Sequence, residues 1–371
     1  MNFSVTSKNL SIGLQRVINA ITNKPVIPIY NNILLEAINN TLIIVATDGE
    51  VRIQTKIAAI TLEPGKITVQ AKKFDDIVKS LAMGDVCFKT NAEKPQEIIM
   101  ACNKIKYILY GLSADEYPET IDFQEDWFIT MPSHDLISSL SKVAYAHCED
   151  ENRKALNGIL FSIRSGLLTI AATDGRRLAL VETALHDGAE NIPDNDIILP
   201  YKAVDELRKS LDKQEKVKIR FMSSAALFET KDTSIMTKLK DETYPNYRQV
   251  IPESFTQKVA IPREIFSSVL NRVSKVISGD SGSVTFDITA SKMEVSAKSM
   301  EYGEASEPIE VSLEGENIKI AFNPDYFLDP LKTLECDQLF LEFNDSLSPC
   351  ALSGDEGFLY ILMPMNLNKK N

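Results

Sequence analysis

The sequence predicts an α+β protein built from three tandem copies of one unit, each with two helices packed on antiparallel sheets. The motif Ala-Thr-Asp-Gly occurs twice, and its aspartates, Asp48 and Asp174, lie 126 residues apart. A chain of 371 residues also exceeds one ordinary core and suggests two or three domains. A fixed order of predicted elements recurs about every 125 residues, which places three domains at 1–124, 125–251 and 252–371.

Each Ala-Thr-Asp-Gly motif predicts a β-hairpin. Apolar runs at 42–45 and 167–170 precede the Asp-Gly pair, and glycine accepts the positive φ of a tight turn. A turn is a sufficient explanation of the first copy. The second copy continues with Arg176 and Arg177, two adjacent cations that a strand would direct to opposite faces. A third hairpin is expected at 293–305, where Asp-Gly is missing.

Six segments of the sequence are predicted to be helices, two in each unit. The first helix of each unit opens with Ser or Pro, as helix starts often do, and has apolar residues at helical spacing. Pro330 lies inside the last segment, where it removes a hydrogen bond and should kink or shorten the helix. The predicted helices are 7–21, 72–82, 133–147, 201–213, 262–277 and 324–334. Their predicted apolar positions include Leu10, Leu14, Val17, Ile18, Ile21, Leu136, Leu140, Val143, Ile265, Val269 and Val273.

Alternating strands are expected to close each unit, as in VKIRFMSSAALFET (217–230) and LFLEFNDSLSPCALS (339–353). The first two units then end in related segments, DEYPET and ETYPNY, where Pro118 and Pro245 lie 127 residues apart. Proline-bearing connectors are therefore predicted near 117–132 and 244–262.

Composition favours a soluble, cytoplasmic protein. No stretch approaches the roughly 18 apolar residues of a membrane helix, and the first ten residues lack the pattern of a signal peptide. The five cysteines are scattered and odd in number, which favours free thiols over disulfides or a structural zinc. We expect no metal, no cofactor and no membrane partner.

The charge is distributed unevenly between the predicted helices and the rest of the chain. The net charge is −12, yet the six predicted helices carry 14 Lys and Arg against 9 Asp and Glu, a net of +5. The remainder therefore carries −17. Basic helices on one surface would attract a polyanion through its backbone, without reading its sequence. Lysine-rich helix faces that serve only solubility are the alternative explanation.

The threefold repeat, together with ATDGRRLAL, YPNYRQVIP and the ending LMPMNL, resembles the family of bacterial β sliding clamps, the β subunits of DNA polymerase III. The resemblance covers essentially the whole chain, and only 368–371 lie beyond it. It implies a head-to-tail homodimer, a ring of six similar domains whose helices face a central hole that holds duplex DNA. The ring would act as a processivity factor without an active site. It would stay on DNA because a closed ring cannot dissociate sideways, and not because it binds DNA tightly.

The resemblance also implies two sets of contact residues. DNA phosphates would contact Lys24, Lys72, Lys202 and Arg153. Dimer closure would pair a basic edge of one subunit with an acidic edge of the other. The dimer residues would be Lys104, Lys106, Tyr107, Leu109, Val276, Ile277, Glu301, Glu304 and Glu307.

A hydrophobic pocket between the second and third domains is a further implication. It would bind short peptides with apolar anchors from the DNA polymerase III α subunit, the clamp loader, other polymerases and repair proteins. The pocket would be formed by Arg153, Leu156, Thr173, Gly175, Arg176, Arg177, Leu178, Pro245, Val250, Asn323, Tyr326, Leu347, Ile361, Met363, Pro364, Met365 and Leu367.

Some positions depart from the pattern of the pocket or have another explanation. Gln249 and Asn366 stand where family members commonly carry Arg, and Pro349 where they carry Ser, so partner affinity is expected to differ. Flexible methionines suit a site with many partners, although strand core also explains Met363 and Met365. The first hairpin has Glu50-Val51-Arg52 in place of Arg176-Arg177-Leu178, and no equivalent pocket is expected there.

Two other function classes remain open from the residues. SGDSG at 278–282 resembles a serine-hydrolase nucleophile, for which only His134, His147 and His186 could act as base, but it follows a predicted helix in a polar loop. No phosphate-binding GxxxxGK[ST] motif is present, so ATP hydrolysis would come from a separate loader. A repeat scaffold that binds proteins without encircling DNA is the other alternative.

Overall fold

The computed structural model describes residues 1–22, 25, 27–91, 93, 94, 96–120, 123, 128–185, 193–277 and 282–366. The described residues form two compact units. Unit 1 contains Met1–Ile137 and Lys202–Leu239, and unit 2 contains Ser138–Leu185, Pro193–Tyr201 and the described part of Lys240–Asn371. Within these ranges, no helix is long and apolar enough to span a membrane.

Each of the six predicted helices is present in a shortened form. Short 3-10 turns extend the first helix of each repeat, at Ile18–Ala20, Ala144–Ala146 and Ser274–Val276. Further 3-10 turns lie at Pro28–Asn31, Ala114–Glu116 and Tyr247–Val250. The α-helices are α1 (Ser7–Val17), α2 (Ala71–Ser80), α3 (Ser133–Val143), α4 (Tyr201–Ser210), α5 (Arg263–Val273) and α6 (Asp325–Leu331).

Two details of these helices differ from the sequence prediction. In α5 the buried face includes Phe266, Val269 and Val273, whereas Ile265 is 53% exposed. The alignment of Ile265 with the core face was therefore wrong, because its neighbour Phe266 fills that position. Pro330 is the penultimate residue of α6, which has only seven residues, so the predicted shortening is confirmed.

Twenty-six strands are described, and all named pairs are antiparallel. They are β1 (Asn2–Thr6), β2 (Asn32–Ile38), β3 (Thr41–Thr47), β4 (Val51–Ala58), β5 (Ile60–Glu63), β6 (Gly65–Gln70), β7 (Asp85–Thr90), β8 (Glu97–Cys102), β9 (Ile105–Tyr110), β10 (Ile129–Pro132), β11 (Gly158–Arg164), β12 (Leu167–Thr173), β13 (Arg177–Ala184), β14 (Asn195–Pro200), β15 (Lys216–Phe221), β16 (Ala225–Glu229), β17 (Thr233–Lys238), β18 (Gln257–Pro262), β19 (Val284–Ile288), β20 (Lys292–Ser299), β21 (Gly303–Glu310), β22 (Ser312–Glu314), β23 (Ile318–Phe322), β24 (Gln338–Phe343), β25 (Cys350–Ser353) and β26 (Phe358–Leu362).

The strands form four sheets, two in each unit. Unit 1 contains a five-stranded sheet, β5-β1-β7-β8-β9, and an eight-stranded sheet, β10-β15-β16-β17-β4-β3-β2-β6. Unit 2 contains a nine-stranded sheet, β14-β11-β12-β13-β26-β25-β24-β18-β22, and a four-stranded sheet, β21-β20-β19-β23. The two long sheets each join strands of successive repeats, β17 to β4 in unit 1 and β13 to β26 in unit 2.

Aromatic packing attaches the helices of the third repeat to their sheet. Phe266 of α5 and Phe327 of α6 are both fully buried, and each meets Phe286 of β19 edge to face, with ring centroids 5.6 and 5.3 Å apart. Phe322 of β23 completes the cluster, 5.0 Å from Phe327. This contact places two helices on one face of an antiparallel sheet, as the repeat pattern predicts.

Candidate functional site

The Ala-Thr-Asp-Gly motif forms the same hydrogen-bonded turn in both copies. In the second copy, the backbone N–H groups of Arg176 and Arg177 donate to Asp174 Oδ1 at 2.8 and 3.0 Å. Thr173 Oγ1 donates to the Arg177 carbonyl at 2.6 Å. Gly175 has φ of +88°, which favours glycine. The first copy repeats these bonds, with Asp48 Oδ1 accepting from Glu50 N and Val51 N at 2.9 Å.

Because Oδ1 of each aspartate caps its own turn, Oδ2 can pair with a cation. The two copies use different cations. Asp174 Oδ2 accepts from Arg177 Nε at 3.1 Å, whereas Asp48 Oδ2 pairs with Lys202 Nζ. Burial acts to raise the pKa of Asp48, but the Lys202 bond and the turn amides together outweigh it and hold that pKa below its ordinary value. One turn motif therefore anchors two different basic residues.

Arg177 lies at the centre of a network that joins three segments of unit 2. Its Nη1 donates to Asp329 Oδ2 of α6 at 2.7 Å, and its Nη2 donates to the Tyr145 carbonyl at 2.8 Å. The guanidinium also lies 4.9 Å from the ring centroid of Tyr326. Burial acts to lower the pKa of Arg177, but Tyr360, Asp329 and Asp174 outweigh it and raise that pKa, so the side chain stays charged. Arg176, its neighbour, is exposed.

Apolar side chains lie beside this network. Leu178 and Ile361 are register partners on β13 and β26 and are only 1% and 3% exposed. They belong to one core cluster with Leu160, Ala351 and Tyr247. These residues form a well-packed apolar cluster whose position is set by the pairing of β13 with β26.

Several predicted pocket residues expose large apolar side chains. Met363 is 42% exposed, Val250 50% and Leu347 58%. Met363 lies next to the second turn, because its backbone N–H donates to the Arg176 carbonyl at 3.1 Å. Met365 N–H donates to Ala321 O at 2.7 Å, which fixes the chain after β26 against β23. The exposure of Met363 is greater than strand core alone would explain.

Arg153 and Leu156 lie in one short loop of unit 2. Arg153 Nη1 donates to the Asp174 carbonyl at 2.7 Å, and Leu156 N–H donates to the Arg153 carbonyl at 2.9 Å. A Cβ placed on Gly175 would lie 2.9 Å from Arg153 Nη2, so the glycine also permits this close approach. In the first copy, Tyr30 covers Gly49 in the corresponding way, at 3.0 Å.

The remaining predicted pocket residues differ in their exposure and hydrogen bonding. Tyr326 N–H donates to Asn323 O at 3.2 Å at the start of α6, and Thr173 is part of the second turn. Pro245 is exposed, Pro364 is half-buried, and Leu367 lies outside the described residues. Of the three departures from the family pattern, Gln249 and Asn366 are exposed and Pro349 is half-buried.

Sequence reasoning missed Asp329 and Tyr145, which bind Arg177. Asp329 lies in the helix that Pro330 made uncertain, and Tyr145 contributes only a backbone carbonyl. The sequence does show that Asp329 is an acid within the predicted helix 324–334, which also carries the proposed pocket residue Tyr326. That signal does not identify a partner 152 residues away.

The predicted DNA contacts are placed only in part. Lys202 is at the start of α4, where its Nζ pairs with Asp48 and also lies 3.4 Å from the Ala20 carbonyl. Lys72 is exposed on α2, and Arg153 is exposed beside the second turn. Lys24 lies outside the described residues. Three of the four predicted DNA contacts are therefore described, and one of them, Lys202, is already paired with the carboxylate of Asp48.

The basic character of the helices is weaker than the sequence prediction. The six helices as observed contain 11 Lys and Arg against 8 Asp and Glu, a net of +3, which leaves −15 for the rest of the chain. The predicted value of +5 was too high because three cations, Lys213, Lys275 and Lys332, and one acid, Asp212, fall beyond the ends of the α-helices. The sign of the difference is unchanged.

The predicted dimer residues lie on or near two sheet edges. On β9, Lys106, Tyr107 and Leu109 form the edge of the five-stranded sheet, and Lys104 directly precedes this strand. On the other edge, Glu304 and Glu307 lie on β21 of the four-stranded sheet, and Glu301 lies in the preceding turn. Val276 and Ile277 follow α5. Pro308 on β21 is compatible with an edge strand, because proline cannot donate to a ladder.

The described histidines have structural partners. His134 Nε2 lies 2.8 Å from Asp135, and His147 stacks on Tyr201 at 3.9 Å while its Nδ1 contacts Ala144 O at 2.8 Å. His186 and 278–281 of the SGDSG segment lie outside the described residues. Among the residues that are described, no group of three His, Cys, Asp or Glu side chains is placed to hold a metal ion.

Comparisons with known proteins agree with the repeat pattern. Three family models for DNA polymerase III beta subunit domains match consecutive parts of the chain: the N-terminal domain at 1–122, the central domain at 130–246 and the C-terminal domain at 248–366. The domain bounds proposed from the sequence stay predictions.

Whole proteins and solved structures match along their full length. A beta sliding clamp of Haemophilus influenzae is 30% identical over 99% of this chain and 100% of its own. The crystal structure of the Bacillus subtilis DNA polymerase sliding clamp is 27% identical, with a TM-score of 0.94 over 99% of both chains. A Pseudomonas aeruginosa sliding clamp bound to griselimycin is 25% identical, with a TM-score of 0.92 over 99% of this chain and 100% of that one.

Proposed function

The chain belongs to the DNA polymerase III beta subunit family, and on this premise we propose that two copies close head to tail into a ring around duplex DNA. Like its relatives it is a DNA sliding clamp, a processivity factor and not an enzyme, built from three tandem clamp domains. We place the domains at 1–124, 125–251 and 252–371, and we place the protein in the cytoplasm, where bacterial DNA is replicated.

The observation that carries the ring proposal is a joint that occurs twice inside the chain. In each case the strand after the hairpin turn pairs antiparallel with the last strand of the next repeat. Ile53 of β4 lies opposite Ile235 of β17, and Ala179 of β13 lies opposite Tyr360 of β26. Just beyond the ladder, Lys238 N–H donates to Glu50 O at 3.0 Å, and Met363 N–H donates to Arg176 O at 3.1 Å. The register is therefore the same at both joints.

The third repeat has the same two strands, but both are edges within their sheets. β21 follows the third hairpin, and β9 is the last strand of the first repeat. Ala305 corresponds to Ile53 and Ala179, because each pairs across its hairpin with a buried alanine. Tyr107 corresponds to Ile235 and Tyr360 in the last strand, because each pairs with a fully buried residue of the preceding strand. A second copy would complete a third joint, with Ala305 opposite the partner's Tyr107.

Charge supports this pairing. The β9 side brings Lys104 and Lys106, and the β21 side brings Glu301, Glu304 and Glu307. Arg272 already binds Glu307, with its Nε 2.9 Å from Oε2, and Lys298 lies 3.3 Å from Glu304. The acidic edge is thus partly neutralised within its own subunit, which lowers the cost of burying it. Val276 and Ile277 supply apolar surface near the same edge.

We propose that Lys24, Lys72, Lys202 and Arg153 contact DNA phosphates. A closed ring cannot leave DNA sideways, so a few salt-screened contacts are sufficient for retention and still permit sliding. Contacts to phosphates alone carry no sequence information, which suits a clamp that moves over any duplex.

Topological retention is the direct test of the ring. The protein is loaded on nicked circular DNA with a clamp loader, and the circle is then linearised. A ring should leave through the ends within the time of the assay but stay on the intact circle. Equal retention on both forms would contradict encirclement and favour a scaffold that binds proteins only. A solution mass equal to that of one chain at working concentration would contradict the dimer.

We further propose that the exposed Met363, together with the surface above the apolar cluster of Leu178 and Ile361, binds short peptides with apolar anchors. The expected partners are the DNA polymerase III α subunit, the clamp loader, other polymerases and repair proteins. Griselimycin, bound by the Pseudomonas aeruginosa clamp, is expected to bind here as well. The test is calorimetric titration with griselimycin, in which Met363→Asp, a change at an exposed side chain of the proposed pocket, should strongly weaken binding. Exposed Met83→Asp, in unit 1, is the matched control.

A further inference from the structure

The Arg177 network joins the second turn to the helix that carries Tyr326. Asp174 belongs to the turn, and Asp329 belongs to α6, 155 residues further along the chain. Arg177 bonds to both carboxylates, at 3.1 and 2.7 Å, and its side chain is only 13% exposed. Two carboxylates thus hold one guanidinium in a fixed plane, because the planar fork allows little freedom once its N–H groups are bonded.

This network sets the position of a proposed pocket residue. The Tyr326 ring lies over the guanidinium, with 4.9 Å from its centroid to Arg177 Cζ, and is three residues before Asp329 on the same helix. Asp329 therefore fixes both the cation beneath the ring and the helix that carries the ring. Asp329 itself is not among the residues expected to touch a peptide.

The joint between the first and second repeats shows that the fold does not require this network. The carbonyls of Ile198 and Ala321 accept corresponding bonds, from Lys240 and Met365, which aligns α4 with α6. In that alignment Glu206 takes the place of Asp329.

Arg177 has no arginine counterpart in the first copy, where Lys202 of α4 pairs with the turn aspartate instead. Val51 takes the place of Arg177, since Thr47 and Thr173 donate to the carbonyls of Val51 and Arg177. Glu206 is 3% exposed, and its Oε2 has no hydrogen-bond partner among the described residues. An acid lies at both joints, Glu206 at the first and Asp329 at the second, but the bridging arginine occurs only at the joint where the pocket is proposed.

We propose that Asp329 is a positioning residue of the peptide pocket, which acts through Arg177 to hold Tyr326 and the Asp174 turn in the geometry that binds an apolar peptide. The inference rests on the proposed pocket. It assigns to Asp329 a part in affinity that is separate from any direct contact with the ligand.

The test is calorimetric titration of the full-length protein with griselimycin. Asp329→Asn keeps the shape of the side chain and removes its charge, and we expect an affinity loss of about tenfold or more. Asp329→Glu keeps the charge and should recover part of the loss. Asp325→Asn, at the exposed start of the same helix, is the matched control and should bind like the wild type.

A double-mutant cycle separates positioning from general destabilisation. In an Arg177→Gln background, Asp329→Asn should cause no further loss of affinity, because its route to the ligand is already removed. Wild-type affinity in Asp329→Asn, or losses that multiply in the double variant, would overturn the inference while leaving the pocket proposal intact if Met363→Asp weakens binding. A wild-type protein that does not bind griselimycin would overturn both proposals.

Discussion

At the scale of single residues, the aspartate of the Ala-Thr-Asp-Gly turn binds a different cation in each of the two copies. Asp48 and Asp174 cap their turns with identical bonds, yet one holds Lys202 and the other Arg177. Lys202 is a proposed DNA contact, and its ammonium group is already paired with the carboxylate of Asp48. Phosphate contact by Lys202 then means an exchange of partners, which keeps the net gain small and suits a clamp that slides.

Glu206 should make the stability of the protein depend on pH. Burial raises its pKa from 4.5 to about 7, although Lys209 and Lys202 act in the opposite direction, while Asp205 and Asp48 add to the rise. Because the folded state keeps the proton to higher pH than the unfolded state, folding stability falls as pH rises from about 4.5 to 7 and then levels.

Glu206→Gln should remove this penalty. The variant is expected to match the wild type near pH 4.5 and to exceed its unfolding free energy by up to about 3 kcal/mol at pH 8. Denaturant unfolding at both pH values measures the difference. Glu264→Gln, the same change at an exposed glutamate of α5, is the control, and a gain of equal size at both pH values in Glu206→Gln would contradict the assignment.

At the scale of elements, the hairpin turn is the unit that the chain repeats. Thr, Asp and Gly each make a separate contribution to it, through a hydroxyl bond, a carboxylate cap and positive φ. The elements around the turn differ, because Tyr30 covers Gly49 and Arg153 covers Gly175. The same turn is therefore packed against different residues in the two copies.

Alanine at the two glycines should separate turn stability from pocket function. Gly49→Ala and Gly175→Ala each impose a strained backbone, and we expect each to cost about 1–2 kcal/mol of stability. Only Gly175→Ala should also weaken griselimycin binding, because its Cβ would displace Arg153. Thermal unfolding and calorimetry measure the two effects, and equal loss of binding in both variants would show that the turn acts only through overall stability.

At the scale of the whole molecule, the repeated joint is the main argument for a closed dimer. Two joints inside the chain use one register, and β21 and β9 are left as edges that fit the same rule. Exposed edge strands are otherwise sites of uncontrolled association, which a defined partner prevents. The inferred register places Ser306 opposite the partner's Lys106, with Glu304 diagonal to it.

A charge swap tests that register. Lys106→Glu and Glu304→Lys should each weaken dimerisation by about three- to tenfold, since each places like charges near one another across the joint. The double variant should recover most of the loss, as measured by sedimentation equilibrium. Lys89→Glu, an exposed site on an inner strand of the same sheet, should leave the dimer unchanged. Additive losses in the double variant would rule out this pairing.

The sequence by itself determined the repeat, the six helices, the hairpins and the family, because these depend on local patterns such as apolar spacing and the Asp-Gly turn. It misplaced Ile265 and overstated the helix charge, because a helical pattern does not fix which neighbour fills the core or where the last turn ends. Tertiary structure alone decided which cation each turn aspartate holds, and it alone placed Asp329 against Arg177. Two of these pairings, Asp48 with Lys202 and Arg177 with Asp329, join positions more than 150 residues apart, which no local pattern encodes.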